Sequence, residues 1–329
     1  IMFTTTMIIG TMITISSNSW MGMWLGLEIN LLSIIPLMSN VKNKMESETS
    51  MKYFIIQAMA STILLFSVIM MLTTESNLST KTIKTMILDS AILTKMGAAP
   101  FHFWFPEVME GLSWMNSTIM LTWQKIAPMI IFSYTNKPIM FTTTVIIASM
   151  IISGIMGMNQ TSMRKILAYS SINHIGWMLA AMLSNQTIWM TYMMIYSAMT
   201  INITLMMNKL NIFFIKQMMN LMTNNKNLKI LFSMNFLSLG GIPPMVGFFP
   251  KWITINFLVQ EKMIFLTFTM IIMTLMTLFF YMRITFTSII LKTTESKTKN
   301  QNKNKTTIMT LNFITLSSLS MCMLVFNFI

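Results

Sequence analysis

At 329 residues, 54% hydrophobic and only 9% charged, the chain carries far less charge than a water-soluble fold, in which about a quarter of residues are charged. Cys322 is the one cysteine in the sequence, which excludes a disulfide framework and a cysteine-held zinc or iron–sulfur centre. The net charge of +13 comes from lysines scattered through short segments without a stacking platform, which argues against nucleic acid as a partner.

Residues 1–27, 53–74, 138–163, 166–208, 230–250, 263–282 and 306–329 contain no Asp, Glu, Lys or Arg. About 18 such residues suffice to span a bilayer. The apolar runs are continuous rather than alternating, so helices are expected rather than barrel strands. Residues 1–16 have no basic segment before them and no small-residue cleavage site after them, unlike a cleavable signal. In chain order, spans are expected at about 1–17, 19–39, 53–73, 84–104, 113–134, 138–157, 165–183, 187–208, 230–250, 263–290 and 306–327. The expected fold class is therefore all-α, a polytopic membrane protein with about eleven transmembrane helices.

An odd number of spans places the termini on opposite sides of the membrane. The segments 40–52, 158–165, 209–229 and 291–305 then share a face and hold most of the loop lysines and Arg164; the opposite segments hold Lys81, Lys137 and Lys262, with Lys84 at a span edge. By the positive-inside rule the amino terminus faces the matrix-like side, and an accessibility tag in 292–305 is expected on that same side. Such loops suit anionic phospholipids, such as cardiolipin, or acidic partner subunits.

Two segments share an interrupted pattern. Residues 97–107 read GAAPFHFWFPE and residues 241–251 read GIPPMVGFFPK, pairing Gly97 with Gly241, Pro100 with Pro244, Phe105 with Phe249 and Pro106 with Pro250. Each ends in a charge, Glu107 or Lys251. Glycine and proline interrupt helices, and matching interruptions in two halves point to a transport site lined by freed backbone groups. Five span steps separate the two copies, so an inverted repeat is expected.

Glu28, Lys95 and Lys125 fall inside expected spans, and Lys251 lies at the end of the second interrupted one. A charge at the bilayer centre costs about 2.5–3.5 kcal/mol on insertion scales, and apolar packing does not require it. An ammonium withdrawn from water gives up its proton more readily, and a neighbouring carboxylate favours its retention, so alternation between such states can pass a proton on. Snorkelling or a static ion pair is the competing account, and it is the favoured one for Asp89, near its span's end. Thr118, Thr122 and Lys125 lie at i, i+4 and i+7 on one helical stripe, and Ser170, Asn173, His174 and Trp177 form another. On a continuous helix Lys95 and His102 would be roughly 10 Å apart, requiring a water between them. His102 and His174 are weaker relay candidates, since a lone histidine is as readily a hydrogen-bonded core residue. Two histidines also admit a haem, but their contexts differ and argue against it. Neither a phosphate-binding glycine loop, a metal-ligand cluster nor a nucleophile–base pattern is present in the sequence.

Methionine occurs 43 times, and all 22 basic residues except Arg164 and Arg283 are lysine. AT-rich codons, with ATA read as Met, would give that balance and hint at an animal mitochondrial gene.

The stretches SNSWMGMWLGLEINLLSIIPLM around Glu28, LTKMGAAPFHFWFPEVMEGLSW around Lys95, LTWQKIAP around Lys125, NQTSMRKILAYSSINHIGWM around His174 and FLSLGGIPPMVGFFPKW before Lys251 resemble the mitochondrially encoded NADH–ubiquinone oxidoreductase chain 2 family. These are antiporter-like subunits of the membrane arm of respiratory complex I. The resemblance spans about residues 17–260 and fades in the last two spans.

It implies one antiporter-like domain over 1–329, with a first repeat at about 1–135, a second at about 138–291 and a final helix at about 306–327. The repeats would be inverted five-helix units, each with a broken helix. Bacterial relatives have fourteen helices and animal ones typically lack the first three, which fits eleven here. Glu28 would pair with Lys95, the input-side proton carrier; Lys125 would be the connecting lysine and Lys251 the terminal one. Protons would pass from matrix to intermembrane space across the mitochondrial inner membrane. The driving force would be quinone reduction elsewhere, with NADH, FMN, iron–sulfur clusters and ubiquinone on other subunits and no cofactor in this chain. Other membrane-arm and accessory subunits would be its partners. A subunit of a multi-subunit sodium/proton antiporter and a non-conducting scaffold are the rival readings.

Overall fold

The computed structural model describes residues 2–40, 43–73, 78–135, 137–222, 226–243 and 245–290. The expected final span at 306–327, Pro244 and all the lysines of 291–305 lie outside them. The described residues are helical throughout apart from short connections, and fall into two compact units, 1–149 and 150–329.

In the first unit α1 (Met2–Ser16) and α2 (Trp20–Met38) lie against each other through glycine. A Cβ at Gly26 would sit 2.5 Å from Thr14 Cγ2 and 2.8 Å from the Gly10 carbonyl oxygen. Small residues of this kind let apolar helices approach backbone to backbone. Ser19 caps α2, accepting the Gly22 N–H at 3.2 Å. Next come α3 (Lys44–Thr73), starting earlier than its apolar run, and α4 (Leu78–Met96), which stops inside the expected fourth span. After a break the chain resumes as α5 (Trp104–Gly111).

The expected span 113–134 is two helices, α6 (Trp114–Leu121) and α7 (Trp123–Tyr134). The interruption is Thr122, at φ −114° and ψ −70°. The stripe Thr118–Thr122–Lys125 is thus not one continuous helical face. Both threonine hydroxyls donate to their own helix, Thr118 to the Met115 carbonyl at 2.6 Å and Thr122 to the Thr118 carbonyl at 2.7 Å. The unit boundary falls within α8 (Ile139–Met158).

The second unit contains α9 (Met163–Ser184), α10 (Gln186–Leu210), the short α11 (Ile215–Met222), α12 (Lys226–Gly240), α13 (Phe248–Gln260) and α14 (Ile264–Ile290). α9 is its central element, buried along nearly its whole length, whereas most of α14 is not. That enclosure by protein is why α9 accommodates Ser170, Ser171, Asn173 and His174, all buried, where a lipid-facing helix would not.

Among the described residues five helices are long and apolar enough to cross a membrane, namely Trp20–Met38, Lys44–Leu72, Ile139–Met158, Met163–Ser184 and Ile264–Thr287. The other expected spans within the described residues are shorter, broken or more polar. Two of them, the fourth and ninth, carry the repeated motif.

The two breaks have the same backbone. Gly97 and Gly241 both take left-handed conformations, at φ +75° and +78°. At each, the glycine N–H bonds the carbonyl three residues back, at 3.2 Å to Thr94 and 3.1 Å to Ser238. The following N–H bonds the carbonyl five residues back, at 3.1 Å from Ala98 to Leu93 and 3.4 Å from Ile242 to Leu237. This is the glycine-ended helix stop in which two carbonyls are satisfied by a reversal of the chain. Helix resumes at Trp104 and Phe248, 144 residues apart like the glycines, with Phe105/Phe249 second and Pro106/Pro250 third in the new helix. Proline is tolerated there because first-turn N–H groups have no helical partner.

Candidate functional site

In the first unit the break of α4 leaves Lys95 in the last turn of that helix, 7% exposed. Helix C-termini carry partial negative charge and favour cations. The last-turn carbonyls are engaged from outside: Trp104 Nε1 donates to the Thr94 carbonyl at 3.1 Å, and Gln57 Nε2 to the Lys95 carbonyl at 3.4 Å. Lys95 borders a cavity of about 20 Å³ shared with Asn30, Tyr53, Gln57 and Gln124. That space is about right for one water, and its polar lining supplies the partners a water needs.

Glu28, on α2, is the carboxylate whose field reaches Lys95. No direct ion pair joins these two described residues, and Glu28 Oε1 is buried without a hydrogen bond from the described residues. Two residues along, Asn30 and Gln124 form a reciprocal amide pair, with Asn30 Nδ2 to Gln124 Oε1 at 3.0 Å and Gln124 Nε2 to Asn30 Oδ1 at 2.9 Å. Lys125 follows Gln124 on α7, is 1% exposed, and places its Nζ 5.5 Å from the centroid of Phe105. The aromatic residue of the first repeated motif thus supports a buried cation through its ring face.

His102 does not continue the helix of Lys95. Gly97 ends α4, so the helical separation expected between them does not apply. The His102 ring is buried in the break, with Nδ1 3.3 Å from the Pro100 carbonyl oxygen and its face against Phe103 at 4.4 Å. Asp89 is fully buried on α4 and faces Lys137 in the α7–α8 turn. Burial holds the Lys137 ammonium below its ordinary range, and the Asp89 carboxylate raises it in part. Both Asp89 carboxylate oxygens are buried without a hydrogen bond from the described residues, so the side chain does not snorkel to the surface. The charge paired with Lys251 in the repeat, Glu107, is at the surface, where it meets Lys52 at 3.5 Å with both side chains exposed.

In the second unit Lys251 is the fourth residue of α13 and reaches back to α12, donating to the Gly240 carbonyl at 2.9 Å. Its Nζ lies 5.9 Å from the Trp177 ring centroid. Lys95 and Lys251 are not at equivalent repeat positions, yet both end at the C-terminus of a half-helix: one belongs to that half, the other crosses the break to it. Nearby on α9, His174 Nδ1 is 2.9 Å from the Tyr192 hydroxyl and its ring 4.9 Å from that of Tyr196. Asn173 Nδ2 donates to Thr277 Oγ1 at 3.3 Å. The stripe expected from Ser170 to Trp177 is therefore an internal polar face of its unit.

Gly241 leaves little room beside Lys251. A Cβ there would meet Lys251 Nζ at 2.9 Å, on a backbone at φ +78° where an L-residue costs about 1–2 kcal/mol. Gly241→Ala is expected to lower coupled turnover by displacing the ammonium while assembly largely persists. Proton movement per turnover in purified membranes checks it, and wild-type coupling would count against a role for this close contact.

Sequence reasoning passed over Asn30, Gln57, Gln124, Tyr192 and Tyr196. Asn30, Gln57 and Gln124 carried a signal as polar residues inside expected spans, Asn30 two residues from Glu28 and Gln124 next to Lys125, whereas the tyrosines read as ordinary packing.

Apolar spans, a broken helix in each unit and a buried lysine at each break define a polytopic membrane protein of antiporter-like architecture. The family model described as "NADH:quinone oxidoreductase/Mrp antiporter, TM" matches residues 17–277. NADH-ubiquinone oxidoreductase chain 2 of Anopheles gambiae is 48% identical over 97% of this chain and 96% of its own length. That of Locusta migratoria is 46% identical over 88% of this chain and 85% of its own length. The chain belongs to the NADH-ubiquinone oxidoreductase chain 2 family. Solved structures share its fold at lower identity. A chain of respiratory complex I from Thermus thermophilus matches with TM-score 0.85 and 19% identity, over 95% of this chain and 76% of that one. A chain of the Mrp complex from Dietzia sp. matches with TM-score 0.72 and 18% identity, over 85% of this chain and 58% of that one.

Proposed function

We propose that this chain is a proton-translocating subunit of the membrane arm of NADH:ubiquinone oxidoreductase in the mitochondrial inner membrane. In this reading protons pass from matrix to intermembrane space through Glu28, Lys95, Lys125 and Lys251, with His174 and His102 in lesser roles. Quinone reduction on other subunits supplies the energy, and this chain carries out no redox step. Its amino terminus faces the matrix. Family membership supports the assembly, and the membrane spans support the location.

One observation carries the proton reading. Each unit brings a buried lysine to the carbonyl end of a broken half-helix, with an aromatic or polar network around it. In the first unit Glu28 lies within electrostatic reach but not in contact. A contact pair would hold its charges in one state, whereas a carboxylate held apart leaves Lys95 able to exchange a proton with a water in the small polar space it borders with Asn30, Gln57 and Gln124. The Asn30–Gln124 amides tie the helix of Glu28 to that of Lys125 and keep this polar seam in register.

Glu28→Gln keeps the side-chain shape and removes the charge. Assembly is expected to be normal and coupled turnover reduced, because Lys95 loses the field that alternately holds and releases its proton. NADH-driven proton uptake in sealed membranes measures this, and full wild-type coupling would remove Glu28 from the mechanism. A scaffold would tolerate the change without loss.

A further inference from the structure

The second unit has a separate cavity remote in chemistry from the buried lysines. Its position is set by helix ends: α8 stops at Met158, α9 starts at Met163, and the apolar stretch of α14 runs to Thr287. Where membrane spans stop, the chain enters the headgroup layer. The connections there are tied together. Ser162 and Phe214 form an antiparallel bridge, the Met163 N–H donates to the Phe213 carbonyl at 2.9 Å, and the Ile215 N–H donates to the Thr161 carbonyl at 3.2 Å. Gln217 Oε1 accepts the Phe213 N–H at 2.8 Å, fixing the start of α11.

The cavity so framed measures about 680 Å³. Lys216 and Arg283 supply two cations to its lining, Phe214, Met219 and Ile284 supply apolar surface, and no Asp or Glu among the described residues lines it. Arg283 Nη2 donates to the Met158 carbonyl at 2.6 Å. That bond uses one of five guanidinium donors and anchors the planar fork at the rim.

We propose that this cavity binds the headgroup phosphate of an anionic phospholipid. The volume falls within the range of small-molecule sites. Basic pockets between membrane helices complement phosphate, which a guanidinium recognises with paired donors. Apolar walls beside the cations suit the start of an acyl chain. The adjoining sequence 291–305 carries Lys292, Lys297, Lys299, Lys303 and Lys305 against Glu295 alone, so its own charge opposes it as the occupant. The site is independent of proton transfer through Lys95 or Lys251.

The protein in its native assembly, placed in phosphatidylcholine nanodiscs, tests this with a trace of photoactivatable phosphatidylglycerol or photoactivatable phosphatidylcholine. Mass spectrometry of labelled peptides reads the outcome. The anionic probe is expected to label 158–161 and 214–219 several-fold more than the zwitterionic one, a contrast that needs no variant. Lys216→Gln with Arg283→Gln is expected to bring labelling down to the zwitterionic level, while Lys262→Gln, a charge loss outside the cavity, leaves it unchanged. Equal labelling by both probes overturns the proposal. So does preference surviving the double substitution, or cross-linking of the cavity to another protein chain or to residues 291–305 in place of lipid.

Discussion

Lys95→Met and Lys251→Met are each expected to abolish most proton movement while leaving the protein assembled. The separation of the two effects follows from burial. Methionine preserves an unbranched stem of similar length and removes an ammonium whose insertion at the membrane centre costs about 2.5–3.5 kcal/mol. Folding therefore loses nothing large at Lys95, whose stem lies among apolar and amide neighbours. At Lys251 the change gives up one hydrogen bond, to the Gly240 carbonyl. A neutral hydrogen-bond partner typically contributes about 1 kcal/mol, somewhat more when charged, and the recovered desolvation offsets it. Proton transfer has no such compensation. A positioned proton carrier contributes about 10²–10⁴-fold to its step, so coupled pumping is expected to fall about tenfold or more. The readout is protons moved per NADH oxidised, beside the amount of assembled complex on a native gel. Unchanged pumping in either variant with normal assembly would favour a scaffold over a pump.

Gly247→Ala is expected to have the opposite signature, with assembly itself failing. Gly247 immediately precedes α13 and lies against the carbonyl group of Ser238 in α12. A Cβ there would overlap the Ser238 carbonyl oxygen, a backbone atom that cannot rotate away, so the two half-helices would have to part. Overpacking of this kind costs about 1–3 kcal/mol, and the upper end applies where the neighbour is backbone. Gly240→Ala is the matched control. Its Cβ would meet Tyr281 at 3.6 Å and Leu278 at 3.7 Å, which is ordinary contact. Assembled protein and its thermal stability are expected to drop for the first variant and stay near wild type for the second. If both assemble alike, the crossing at the second break is looser than described.

The matched glycines and prolines of 97–106 and 241–250 marked both stretches as interrupted, because only a glycine takes a left-handed turn without strain and a proline early in the following helix marks its restart, but the expected spans ran on to 104 and 250 and the stop at each glycine came with the structure. The interruption at Thr122 left no such mark. Neither glycine nor proline stands there, and the hydropathy of 113–134 reads as a single span. Likewise Lys95 and His102 were legible as polar residues in an apolar setting, but their relation was not, since a seven-residue separation has meaning only along an unbroken helix.

Composition and hydropathy by themselves determined that this is a helical membrane protein, which buried positions carry charge, and that two segments repeat, because desolvation and backbone geometry act on each stretch locally. Tertiary structure alone decided that Lys251 crosses a break to a carbonyl of another helix, that Phe105 faces Lys125, that Asn30 meets Gln124, and that Glu28 stands near Lys95 without touching it. Those relations join residues far apart in the chain. Their distances depend on how helices pack side by side, which a pattern read along one helix does not encode.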